Sequence, residues 1–275
     1  MSATHARAPL DVAIGSIGTV GMEVARRVAL GVPGLRLSAV SAEHRESAQV
    51  RMQAIGVDVP VVSLDALAAH ADVVVECAPS ELFLDIARPA IEQGKVLIPI
   101  GVGAMSRHLE LAERARETGA RILVPSGAIA ALDALRAAAE GEIHSVRMIT
   151  RKPPGGLAGA PYLLAKGISV SNLDAPLKVF EGSAAEGARG FPANVNVAAA
   201  VGLAGLGPDR TLLEIWADPG CNRNQHTVVI EADSVRLELT IENVPTIQNP
   251  RTGRLVAQSV VATLRRLVAP LVVGT

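Results

Sequence analysis

The chain has 275 residues, which allows one large or two smaller domains. Its formal net charge of −1 and its 2% aromatic content remove the electrostatic and base-stacking grounds for nucleic-acid binding. Cys77 and Cys221 lie far apart and form neither a disulfide framework nor metal-ligand spacing. No apolar run reaches the roughly 18 residues of a membrane span, and the N-terminus lacks a signal-peptide pattern. These features predict a cytoplasmic protein acting on small molecules, without nucleic-acid, membrane or metal partners.

In chain order, Val12–Ile14 reads as a short buried strand and Met22–Gly31 as a helix, with Val24, Ala25 and Val28 on one face. Between them runs a glycine turn of the form G-x-x-G-x-x-G, comprising Gly15, Ser16, Ile17, Gly18 and Gly21. Gly18 and Gly21 match the second and third glycines of the dinucleotide-binding fingerprint, and Ser16 stands where its first glycine belongs. Strand, glycine turn and helix together present backbone N–H groups and the positive end of a helix dipole to a pyrophosphate. A nicotinamide dinucleotide, NAD or NADP, is the expected cofactor.

Leu35–Val40 predicts a second strand, ending in Ser41-Ala-Glu-His-Arg45. An acidic residue roughly 20 positions after the glycine turn binds the ribose hydroxyls of NAD. Glu43 suits that role, whereas His44 and Arg45 suit the 2′-phosphate of NADP, so both cofactors remain open. Val50–Ile55 reads as helix, Val61–Val62 as a short strand, and Leu64–His70 as a helix capped by Ser63. Ala71–Cys77 is a continuous apolar run of the kind found in central parallel strands. Ala78 opens the loop at its carboxyl end, beside the nucleotide crevice. Helices over Glu81–Gln93 and Met105–Thr118 and strands over Lys95–Ile100 and Arg121–Val124 continue the alternation. The pattern specifies a doubly wound parallel sheet of the Rossmann type.

A small-residue turn at Ser126–Ala128 and a helix to Glu140 follow. Strands are then predicted at Ser145–Thr150, Leu212–Trp216, Thr227–Glu231 and Val235–Glu242, with a helix at Val197–Leu206. Such a run indicates a second α+β domain with an open, mostly antiparallel sheet. The expected division is residues 1–130 for dinucleotide binding and 131–249 for substrate, catalysis and oligomerisation. A long helix, Thr252–Val268 within the segment 250–275, is expected to return to the first domain. The open sheet and 49% hydrophobic content predict a homo-oligomer, most simply a dimer.

Residue chemistry alone leaves the substrate undefined. His226 stands where a polar loop becomes a strand, with the neutral-pH range of a general base. Arg151 and Lys152 stand in a rigid, basic loop that follows a strand, Arg151-Lys-Pro-Pro-Gly-Gly156.

Several stretches resemble the L-aspartate dehydrogenase family: VPSGAIAALDAL (Val124–Leu135), TRKPP (Thr150–Pro154), FPANVNVAAA (Phe191–Ala200), NRNQHTVVI (Asn222–Ile230) and ENVPTIQNPRTGRLVAQSVVATL (Glu242–Leu264). They stand in family order across both domains. The resemblance implies NAD(P)-dependent oxidative deamination of L-aspartate, with His226 as the catalytic histidine; for the two carboxylates of that substrate Arg151, Lys152 and Lys166 are the candidate partners, and Arg151 has the fork geometry for one. It also implies cofactor contacts at Ala130, Asn196 and the glycine turn, and Asn224 is a candidate for orienting His226. The glycine turn and two-domain plan are also similar to dihydrodipicolinate reductase, but the basic histidine-rich substrate motif of that family is missing. A non-catalytic dinucleotide-binding protein is the further alternative.

Overall fold

The computed structural model describes residues 8–130, 132–192, 195–249 and 252–274. Ala193 and Asn194 of the FPANVN stretch, and Pro250 and Arg251 of NPRTG, lie outside the described residues. The chain forms two compact units. One takes the chain through Pro125 together with Ala257–Val272, and the other takes Ser126–Val256 and the last residues.

The first unit contains β1 (Leu10–Gly15), α1 (Thr19–Ala29), β2 (Leu35–Ser41), α2 (Arg45–Ala54), β3 (Val61–Val62), β4 (Val73–Glu76), α3 (Phe83–Glu92), β5 (Val96–Pro99), α4 (Val102–Met105), α5 (Glu110–Thr118) and β6 (Arg121–Ile122). The six strands pair in the order β3-β2-β1-β4-β5-β6, and every pairing is parallel. The order reverses between β1 and β4, so the switch point lies at their carboxyl ends. Val12, Ile14, Val73 and Val75 face one apolar layer, and Ala13 and Val74 face the other. Burial on both faces is why these strands read as unbroken apolar runs.

Several helices depart from the expected spans: α1 starts at Thr19 and not at Met22, and α2 starts at Arg45 and not at Val50. The helix expected over Met105–Thr118 starts only at Glu110, because Met105 ends α4 and the chain turns after it. There Ser106 Oγ and Arg107 both donate to the Gly103 carbonyl and close the end of α4. Leu67–His70 is a single 3₁₀ turn in place of the longer helix expected from Leu64.

The second unit contains α6 (Leu132–Ala138), β7 (Ile143–Lys152), α7 (Pro161–Lys166), β8 (Leu177–Ser183), α8 (Ala184–Gly190), α9 (Asn196–Ala204), β9 (Thr211–Ala217), β10 (Asn224–Ala232) and β11 (Arg236–Asn243). Its sheet runs β11-β10-β7-β9-β8, antiparallel except for the β7–β9 pair. Strand β8 escaped the sequence pattern. A register shift between Lys178 and Phe180 turns Val179 and Phe180 inward in succession, which breaks the period of two. Its end is marked by a capping box: Ser183 Oγ accepts from the Glu186 N–H, and Glu186 accepts from the Ser183 N–H.

The last helix, α10 (Arg254–Val268), buries Ala257, Val260, Val261 and Leu264 with Val12, Ile14, Val24 and Val28 of the first unit's core. Its apolar stripe thus completes one helical layer of the parallel sheet.

Candidate functional site

In the first unit, β1 ends at Gly15 and α1 opens after Gly18. Ser16 adopts φ 78°, a left-handed conformation that an L residue rarely takes and a glycine takes freely. A Cβ at Gly21 would stand 2.0 Å from the Ser16 carbonyl oxygen, so only glycine lets helix and turn approach this closely. Gly18 is different: it is exposed, and a Cβ there would meet nothing within 4 Å. The space over Gly18 is therefore open for a ligand. No side chain caps α1 and no acidic residue lies in its first turn, so its positive end faces that space uncompensated. This cradle fits the pyrophosphate of a dinucleotide.

Ala78 follows β4 beside this turn, and the Cys77 N–H donates to the Gly15 carbonyl at 2.9 Å. Glu76, at the end of β4, is fully buried and pairs in register with Gly15. Its carboxylate accepts from the Ala78 and Gly101 N–H groups, each at 2.9 Å, and so ties the loops after β4 and β5 together. Burial pushes its pKa up to about 7 against the pull of those bonds. The same burial, and then the Glu76 charge, raise the Cys77 thiol. At the end of β2, Glu43, His44 and Arg45 are all exposed. Arg51 of α2 reaches further in, donating to the Ile17 carbonyl at 2.9 Å.

In the second unit the apolar face of the sheet ends in a polar cluster. Met148 and Val146 of β7 and Val228 and Ile230 of β10 lie in the core. Continuing each strand with a period of two gives Thr150 and Lys152 on β7, and His226 and Asn224 on β10. Asn243 of β11 pairs with Asn224 and joins the same row. Thr150, Lys152, His226 and Asn243 are all buried. His226 Nδ1 lies 3.1 Å from Thr150 Oγ1. Burial, and secondarily the Lys152 charge, pull the His226 pKa down to about 3, so the ring is neutral at physiological pH. Beyond this row a cavity of about 410 Å³ is walled by Lys152, Arg223, Asn222, Asn224, Asn243 and neighbouring glycines and prolines. The cations and amide groups in this wall suit a small acidic molecule.

Comparison with known proteins decides the family. Residues 133–267 match the family model for the aspartate dehydrogenase C-terminal domain, and residues 17–125 match a homoserine dehydrogenase NAD-binding domain. An L-aspartate dehydrogenase from Bordetella bronchiseptica is 47% identical over 98% of this chain and 99% of its own. One from Bradyrhizobium diazoefficiens is 46% identical over 100% and 98%. The chain belongs to the L-aspartate dehydrogenase family. The crystal structure of the Thermotoga maritima aspartate dehydrogenase superposes with a TM-score of 0.75 at 27% identity, covering 96% of this chain and 99% of that one. The Rossmann-type first unit and the mixed-sheet second unit are thus the architecture of this family.

Among the site residues expected for an L-aspartate dehydrogenase, the structure gathers His226, Lys152 and Asn224 on one face. Arg151 does not join them. Strand alternation turns it to the opposite face, where it pairs with Asp218 at 3.3 Å and lies 4.7 Å from the Trp216 ring centre. Lys166 ends α7 as an exposed residue outside the cavity wall. The hydrogen-bond partner of His226 is Thr150, not Asn224. Ala130 is exposed just ahead of α6, and Asn196 is the exposed first residue of α9; the two helices pack through Leu135 and Gly205. Sequence reasoning missed Glu76, Thr150, Arg223 and Asn243. For Glu76 the signal was a lone acid closing the apolar run of a buried strand. The other three become a set only when three strands are aligned.

Proposed function

We propose that the protein is an NAD(P)-dependent L-aspartate dehydrogenase, oxidising L-aspartate to iminoaspartate, which water converts to oxaloacetate and ammonia. The observation that carries this reading is the buried His226–Thr150 pair beside Lys152, under a cavity of cations and amides. The glycine turn would hold the nicotinamide cofactor, which would supply the hydride acceptor for the substrate Cα. Ala78, Ala130 and Asn196 are the further residues proposed to hold it.

The protein's own groups handle charge and protons. Lys152 and Arg223 pair with the two substrate carboxylates. With Nδ1–H donated to Thr150, Nε2 of His226 is the free base. It takes the proton of the substrate ammonium, because a protonated amine cannot release a hydride from its carbon. It then returns that proton as water adds to the imine carbon and ammonia departs. A carboxylate placed on Lys152 cancels part of the field that depresses His226, so substrate binding itself raises the basicity of the ring.

The same reading has the protein working in the cytoplasm, in keeping with its two free thiols; no helix among the described residues is long and apolar enough to cross a membrane. It also makes the protein a homodimer built on the second sheet. The face opposite the core carries Ile149, Val229, Leu212 and Trp216 around the Arg147–Glu214 ion pair, and Glu214 is almost wholly buried. Light scattering at micromolar concentration is expected to show a dimer, and a monomer overturns this part. The activity is tested by following reduced nicotinamide with L-aspartate and each cofactor in turn, and with oxaloacetate plus ammonia in reverse. Turnover with both cofactors is expected, since Glu43 favours NAD and Arg45 favours NADP. Arg45→Ala should raise the NADP KM and spare NAD.

A further inference from the structure

Asn243 ends β11 in the wall of the cavity and is 4% exposed. Its Nδ2 donates to the Ala128 carbonyl at 2.9 Å. A carbonyl can only accept, so this bond fixes which way the amide points. Its oxygen, Oδ1, is buried and has no hydrogen-bond partner among the described residues. Buried side-chain acceptors are nearly always paired, so an orphan on a residue that lines a cavity is suited to a donor brought by a ligand. Gly253 is held opposite by its bridge to Pro245, and a Cβ on it would stand 3.1 Å from Asn243 Oδ1.

We infer that Asn243 Oδ1 accepts a hydrogen bond from the α-amino group of the substrate, making Asn243 the residue that separates an amino dicarboxylate from a plain one. The inference rests on the aspartate reading of the cavity. Lys152 and Arg223 supply charge for carboxylates, and any small dicarboxylate satisfies them. The unpaired oxygen asks for an N–H donor, and a protonated amine makes that bond charge-assisted. A ligand lacking the amine leaves Oδ1 unpaired, which is the strong form of discrimination available to a polar site.

The test titrates L-aspartate and succinate by calorimetry into NADH-saturated protein, where no turnover occurs. Asn243→Ala should weaken L-aspartate at least tenfold and succinate less than twofold, with the NADH Kd unchanged. Equal weakening of both acids, or no change for aspartate, overturns the assignment. So does a weakened NADH Kd with aspartate unaffected, which would make the cofactor carboxamide the donor. Because Asn243→Ala also removes the Ala128 bond, Gly253→Ala serves as a second variant that retains it. That variant should weaken aspartate about threefold and spare succinate, and the reverse preference overturns the inference. If the wild-type protein binds aspartate but does not oxidise it, the activity reading fails while these binding comparisons still decide the role of Asn243.

Discussion

The glycine cradle of the first unit and the polar-lined cavity of the second are made of different material. The cradle is backbone: its shape comes from where side chains are missing, at Gly18 and Gly21, and its charge from the uncapped end of α1. The cavity is side chains, drawn from β7, β10 and β11 and from the loops around them. A backbone site depends on a few contiguous residues and tolerates no Cβ at its tight points. A side-chain site depends on strand register, and its groups are tuned by burial and by one another.

The largest expected effect lies in the cavity. His226→Ala should lower kcat for L-aspartate by about 10²–10⁴, the usual loss of a general base, with the cofactor Kd unchanged. Because His226 sits near pKa 3 in the free protein, its acidic limb in the kcat/KM profile should fall well below pH 6.5. A limb at 6.5 that disappears in the mutant would mean that the ring is more hydrated than its surroundings imply.

The cradle is next, and two of its glycines should behave in opposite ways. Gly21→Ala forces a Cβ to 2.0 Å from a carbonyl oxygen and should cost about 3 kcal/mol or more in urea unfolding. The Cβ of Gly18→Val meets nothing, so stability should change only by the loss of a favourable N-cap, about 1 kcal/mol, while NADH affinity falls at least tenfold. If Gly18→Val binds NADH normally, the ligand does not use this cradle.

Glu76 and His226 sharpen the comparison through pH. Burial disfavours the charged form of each, but in opposite windows. Glu76 is raised from 4.5 to about 7, so the folded state holds a proton that the unfolded state has lost, and stability falls as pH rises across that interval. His226 is lowered from 6.5 to about 3, so its stability contribution is complete above 6.5 and is lost as pH falls toward 3. Chemical unfolding of Glu76→Gln against wild type should move in favour of Gln by up to about 3 kcal/mol from pH 4.5 to 7 and then level off. A flat difference would show that water reaches the carboxylate.

The smallest effect is Ser16→Gly. Relief of its left-handed φ should add about 1 kcal/mol of stability, partly offset by the greater freedom of glycine in the unfolded chain. Differential scanning calorimetry resolves that difference.

The sequence by itself determined the cradle and most of the first unit. A glycine turn between a strand and a helix is local, and doubly buried strands such as Val73–Glu76 declare themselves as apolar runs. It also carried the family, because five stretches in order are a linear signal. Strand β8 stayed hidden because a bulge broke its alternation, and the helix expected from Met105 starts only at Glu110, after a turn where side chains close on Gly103. Only the tertiary structure decided which polar residues of the second unit work together. Arg151 and Lys152 are neighbours in the chain, yet the pleat sends them to opposite faces. Thr150 meets His226, and Asn243 joins Asn224, only because antiparallel register lays three strands side by side. That register is set by the burial of a whole sheet face, a property that no single stretch of the chain contains.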